Sequence, residues 1–281
     1  MQLKFRILNV FTAGGARLSG NPLCVVEDGS QLDTAAMQAL ARQFNLSETT
    51  FILPSEKATA RVRIFTPAYE MPFAGHPTLG SAHVVRSLRS SGDALSLEMQ
   101  AGIIPVTASG DRWTLEARPA RRREARESAA DIAAMLGLAA SDVREARLWV
   151  NAGTEQLIVP LASRAAVERA RPVAERFLGL ASEDRPGKML VFADDGDAPA
   201  TVLARFFFPA NGAILEDPAT GSACANLGGW FVHKRPGEDI AREISQGEMV
   251  RRPSTLQLTV RSGSVYVGGL VIELGRGVIE I

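Results

Sequence analysis

Thiols, histidines and net charge are all scarce in this 281-residue chain, and each scarcity excludes something. The two cysteines, Cys24 and Cys224, stand far apart without CxxC spacing. Neither a disulfide framework nor a thiolate zinc site is readable from them, and a reducing cytosol is the default compartment. The 31 basic and 31 acidic residues cancel, so bulk electrostatics point to neither nucleic acid nor an anionic membrane surface. A small neutral or zwitterionic partner fits better. No apolar run approaches about 18 residues. The N-terminal "MQLKFRILNVFTAGG" alternates charged and apolar residues, unlike a targeting peptide. A soluble, unprocessed, cytoplasmic protein is expected. His76, His83 and His233 match no ligand spacing, so no metal is expected. Ser222, His76 and Asp217 supply the residue types of a hydrolase triad, but no G-x-S-x-G elbow accompanies them.

What the chain does have is apolar content, 46%, enough to fill one large core or two small ones. "LKFRILNVF", "PLCVVE", "TTFILP" and "ARVRIFTP" read as strands. In "LDTAAMQALARQF", Met37, Leu40, Ala41 and Phe44 recur at helical spacing, with Asp33 or Thr34 available as N-cap. "HPTLGSAHVVRSLRS" reads as a second helix with Pro77 at its first position. More strands follow to Ala117. The charged stretch after it, with Arg121, Arg122 and Arg123, reads as a solvated linker and places a boundary within 118–130.

The second half repeats the first. "RIFTPAYEMPFAGHPTLGSA" (63–82) matches "RFFFPANGAILEDPATGSA" (205–223), and "SETTFILP" (47–54) resembles "GTEQLIVP" (153–160). Two pairs in one order argue for duplication, with halves at 1–118 and 119–281 and a final strand free to cross back. Each half then carries a helix after a Gly-Ser-Ala or proline turn, near 76–90 and 221–233. Helix N-termini present unpaired N–H groups and a positive dipole end, so each can hold a carboxylate. If the two turns share a cleft, Gly75, Pro77, Thr78, Thr220 and Gly221 would line it, and His76, Asp217 and Ser222 would supply its polar side chains. His76 could instead be a cap or a satisfied core imidazole, and Asp217 an N-cap. Glu48, entering an apolar strand, could have its pKa raised by desolvation and act as a general acid or base, or be an exposed strand-edge carboxylate. A two-thiol racemase is disfavoured, because Ala74 stands where the first thiol would be and Cys24 lies outside the repeat.

The stretches "GNPLCVV", "SETTFILP", "RIFTPAYEMPFAGHPTLGSA", "EDPATGSA" and "ISQGEMVRRPSTLQL" together resemble the PhzF-like family of phenazine biosynthesis, relatives of diaminopimelate epimerase. The likeness runs from about residue 5 to 280. It implies an α+β fold of two pseudo-symmetric halves, each a mostly antiparallel, barrel-like curved sheet around a central helix. It implies an isomerase that shifts a proton on a dihydro-hydroxyanthranilate-like amino or carboxylic acid without a cofactor. By position, Glu48 would be the acid/base, and His76, Asp217 and Ser222 would bind and polarise the substrate or assist the transfer. A homodimer is implied as well. A two-base epimerase or racemase, or a metabolite-binding protein that kept the fold, stand as alternatives.

Overall fold

Short apolar runs broken by turns give a mostly stranded chain, in which long non-local ladders hold the helices in place. The computed structural model describes residues 1–183, 186–194, 196, 201–210 and 212–281; of the repeated motif only Asn211 lies outside them. The chain divides into one unit of Met1–Glu116 with Gly268–Ile281 and a second of Ala117–Val267.

The first unit contains β1 (Gln2–Val10), β2 (Asn21–Val26), α1 (Thr34–Phe44), β3 (Glu48–Leu53), β4 (Ala60–Phe65), β5 (Glu70–Met71), α2 (Gly75–Arg89), β6 (Ala94–Met99), β7 (Gly102–Ser109) and β8 (Arg112–Glu116). The second contains β9 (Arg121–Glu124), α3 (Ala129–Leu136), β10 (Leu148–Asn151), β11 (Glu155–Pro160), α4 (Arg164–Arg169), α5 (Ala174–Phe177), β12 (Met189–Asp194), β13 (Thr201–Ala210), β14 (Ala213–Asp217), α6 (Gly221–Lys234), β15 (Ile240–Gln246) and β16 (Ser254–Arg261). The last strand, β17 (Ser264–Glu280), begins in the second unit and returns to the first.

In the first unit eight strands close on themselves in the order β1-β2-β3-β4-β6-β7-β8-β17 and back to β1. Closure leaves no free edge. Helix α2 packs on β1, β2, β3, β4, β6 and β8 of this barrel. A helix enclosed this way cannot afford bulk: a Cβ on Gly80 would sit 2.4 Å from Leu23 Cδ2 and 3.0 Å from Val10 Cγ2. Outside the sheet, α1 is capped by the Asp33 carboxylate, which accepts from Ala36 N–H. It buries Met37, Leu40 and Ala41 against Phe51 and Phe65; each fully buried side chain of this size contributes about 1.5–3 kcal/mol. The α+β class, dominated by sheet, agrees with the sequence reading.

Three expectations need correction. Helix α2 starts at Gly75, so Pro77 is its third residue and His76 lies inside the first turn. A proline is tolerated there because the N–H groups of the first turn have no intrahelical acceptor. The charged stretch taken as a linker contains β9, antiparallel to β10. Its alternation lays Arg123 over Trp149, 4.7 Å from the ring centre, and against Glu155, leaving Arg121 and Arg122 in solvent. Composition alone hides this, since a four-residue strand with only one half-buried side chain reads as polar.

The third correction concerns the repeat. The ladders confirm one matched pair and shift the other. Strands β1 and β10 are each antiparallel to the next strand, β2 and β11, and these are parallel to β3 and β12. Strands β3 and β12 then pair antiparallel with β4 and β13. The segment 153–160 is therefore the counterpart of β2, and β12 is the counterpart of β3. Side chains agree with this register. Arg63 chelates Glu70 at 2.7 and 2.6 Å and lies over Phe65, which pairs with Glu70. Arg205 chelates Glu216 at 3.0 and 2.6 Å and lies over Phe207, which pairs with Glu216. Thr49 opposite Phe65 then corresponds to Met189 opposite Phe207, and Glu48 to Lys188. Two apolar strands that both end in proline cannot be told apart by pattern.

Candidate active site

Glu48 opens β3, beside Leu23 of β2. Its Oε2 lies 3.3 Å from Nδ1 of His76 in the first turn of α2, with the two side chains 15% and 6% exposed. The contact follows from topology: β3 runs parallel to β2 under the helix, and alternation turns Glu48 and Thr50 toward it. One turn on, Ser81 Oγ donates to Thr50 Oγ1 at 2.8 Å. Burial pushes the His76 pKa from 6.5 down to about 3, with the Pro22 carbonyl working against the shift. The ring is therefore neutral near pH 7. Its Nε2 is buried and has no hydrogen-bond partner among the described residues, the kind of group that calls for a functional explanation.

This burial has a measurable consequence. Below pH 6.5 an unfolded His76 takes up a proton that the folded state refuses until about pH 3, so stability falls as pH is lowered through that window. Between pH 6.5 and 4.5 the parent should lose roughly 2 kcal/mol more than His76→Gln, at about 1.4 kcal/mol per pH unit. Urea midpoints at the two pH values test this; parallel losses in the two proteins would contradict it.

The other two polar candidates belong to the second unit. Asp217 ends β14, opposite Phe206. Its Oδ2 accepts from the Thr220 hydroxyl at 2.5 Å. Thr220, not Asp217, is the N-cap residue of α6. Gln246 braces this turn: Nε2 donates to the Asp217 carbonyl at 2.8 Å and to Thr220 Oγ1 at 3.1 Å, while Oε1 accepts from Thr220 N–H at 3.3 Å. Gly247 follows with φ +83°, where a Cβ would lie 2.5 Å from the Pro218 carbonyl oxygen. The sequence held this Gln-Gly pair in "ISQGEMV", yet nothing in its spacing indicates that it supports residues 217–220.

Ser222 Oγ accepts from Gln156 Nε2 at 3.0 Å. Gln156 Oε1 in turn accepts from Asn226 Nδ2 at 2.8 Å, and Asn226 Oδ1 from Ala152 N–H at 2.8 Å. An amide donor leaves the hydroxyl proton free for another acceptor, whereas a nucleophilic serine needs a base that takes that proton. The triad reading finds no support here.

Of the predicted binding groups, Gly75 and Pro77 are buried in the first turn of α2. Thr78 gives its hydroxyl to the Ala74 carbonyl at 2.6 Å and its N–H to the same oxygen at 3.2 Å. Thr220 N–H is taken by Gln246. The first-turn donors that helix geometry leaves are those of Gly75 and His76 in α2 and of Gly221, Ser222 and Ala223 in α6. Both thiols are buried: burial pushes Cys24 up to about 12 and Cys224 up as well, so neither is a nucleophile near neutral pH. Among the described residues no group of three or more His, Cys, Asp or Glu could hold a metal, and no helix is long and apolar enough to cross a membrane.

A family model described as phenazine biosynthesis-like protein matches residues 8–273. An uncharacterized isomerase of Pasteurella multocida is 35% identical over 277 residues, 97% of this chain and 92% of its own length. The trans-2,3-dihydro-3-hydroxyanthranilate isomerase of Pseudomonas aeruginosa is 35% identical over 269 residues, 92% of this chain and 91% of its own. A PhzF-family phenazine biosynthesis protein from Bacillus anthracis, solved by crystallography, has a TM-score of 0.88, with all of both chains covered at 23% identity. That last likeness is one of fold.

Proposed function

The chain belongs to the phenazine biosynthesis-like PhzF family and is an isomerase, and from that premise we propose that Glu48 moves a proton between two carbons of a small cyclic amino or carboxylic acid of the dihydro-hydroxyanthranilate type. The observation that carries this reading is the Glu48–His76 pair. A single-base proton shift needs one group that takes a proton from one carbon and, after exchange with solvent, delivers a proton to another. A histidine with a pKa near 3 does not compete for it, since a free carboxyl titrates at about 4.3. The neutral ring instead donates its one proton to the Pro22 carbonyl and lies 3.3 Å from Glu48 without taking that carboxyl's proton. His76 Nε2, buried and without a partner among the described residues, then faces the substrate as an acceptor.

By their motif positions, Asp217 and Ser222 are the substrate-binding groups of the second unit, each held by its own amide or hydroxyl partner. The N–H groups of Gly75, His76, Gly221 and Ser222 stabilise the negative charge that develops as the proton leaves. No cofactor enters these steps, and the enzyme works as a homodimer in the cytoplasm.

Turnover of trans-2,3-dihydro-3-hydroxyanthranilate in D2O tests the proposal. Deuterium should appear at a carbon that carried no exchangeable proton in the substrate. Deuterium at the original carbon with inversion would instead identify a two-base epimerase, and binding without exchange a metabolite-binding protein.

A further inference from the structure

Two buried amides behind Ser222 form a chain of hydrogen bonds whose direction is fixed at its far end. Helix α6 packs on β10, β11 and β16, and Ser222 and Asn226 lie one turn apart on it. Asn226 and Gln156, the second residue of β11, are each 1% exposed, whereas Ser222 is half-buried. The turn between β10 and β11 anchors the chain. Asn226 Oδ1 accepts from Ala152 N–H at 2.8 Å, and Asn226 Nδ2 donates to the Thr154 carbonyl at 3.0 Å. A backbone N–H only donates and a carbonyl only accepts. Turning the Asn226 amide over would therefore set donor against donor and acceptor against acceptor. The second Nδ2 proton goes to Gln156 Oε1 at 2.8 Å. That leaves Gln156 Nε2 to meet Ser222 Oγ, at 3.0 Å, as a donor.

A serine hydroxyl can by itself donate or accept. Here Gln156 takes a lone pair of the oxygen, and the hydroxyl proton goes to no group among the described residues. A chain that served packing alone would close on itself, because buried polar groups find partners inside the protein. This one ends on a half-buried hydroxyl with its proton unused. Ser222 is also the second residue of α6, the place that His76 has in α2.

We propose that Gln156 and Asn226 are positioning residues that hold Ser222 as a hydrogen-bond donor, so that the substrate group it meets is an acceptor oxygen, such as a carboxylate, and not an amine. The proposal rests on the function assigned above, in which Ser222 binds substrate. Two isosteric changes reverse the chain. In Gln156→Glu the new carboxylate accepts the Ser222 proton. In Asn226→Asp the new carboxylate draws the Gln156 amide protons toward itself, so that the amide oxygen turns to Ser222. Each should raise KM for trans-2,3-dihydro-3-hydroxyanthranilate, and weaken 3-hydroxyanthranilate in calorimetric titration, by about tenfold or more, as expected for a lost hydrogen bond to a charged group. The value of kcat should change little. Gln156→Met, which removes the amide without supplying an acceptor, should cost about threefold. In a Ser222→Ala background all three losses should vanish, because the amides act only through the hydroxyl. Equal losses with and without that hydroxyl, in whichever of the three variants fold, overturn the positioning role alone, as does a folded Gln156→Glu protein that binds like the parent. A parent that neither turns over the substrate nor binds 3-hydroxyanthranilate overturns the function assigned above, and this inference with it.

Discussion

Glu48→Gln should lower turnover of trans-2,3-dihydro-3-hydroxyanthranilate by about 10²- to 10⁴-fold, the range in which positioned acid/base groups act. The reason is local. Glutamine matches glutamate in shape, so the 3.3 Å contact with His76 and the strand that presents it survive. What it lacks is a site that can take a proton from carbon and give it back. The loss should therefore fall on kcat, with KM and the thermal midpoint near those of the parent. Activity within about threefold of the parent in a folded Glu48→Gln protein would remove Glu48 as the base.

The largest expected effect on stability is at Arg205. Its side chain is only 6% exposed. It chelates Glu216 and donates to the carbonyls of Val167 and Ala170, at 3.1 and 2.6 Å. Arg205→Met strands a buried carboxylate and two carbonyls, and should cost about 3–5 kcal/mol. Removing both charges in Arg205→Met/Glu216→Leu should recover much of the loss, because the penalty lies chiefly in the unpaired partner. Urea unfolding of the parent, the single variant and the double variant separates the two terms. A single variant as stable as the parent would show that the pair contributes nothing. The site feels this pair too: Glu216 adjoins Asp217 on β14, so the ion pair fixes the strand that presents Asp217.

Much of this was legible in the residues. Strand runs, the amphipathic spacing of Met37, Leu40 and Ala41, and the matched turns before α2 and α6 are local features, and local features are written in the order of residues. So are the family motifs that singled out Glu48, His76, Asp217 and Ser222. The misread places share a cause. The start of α2, the strand within the arginine stretch and the partner of "SETTFILP" each depend on what lies across a ladder. Gln246 and Gln156 were missed for the same reason: a buried amide gains its meaning from the groups it joins, and those are 26 and 66 residues away.

The sequence by itself determined that the chain is a duplicated α+β protein with two matched helix-opening turns, because propensity, turn chemistry and repetition are short-range properties. Only the tertiary structure decided that Glu48 meets His76, that burial keeps this histidine neutral, and that the residue at the position equivalent to Glu48 in the second unit is Lys188. Those facts depend on strand register, and a register is fixed by pairing between distant segments.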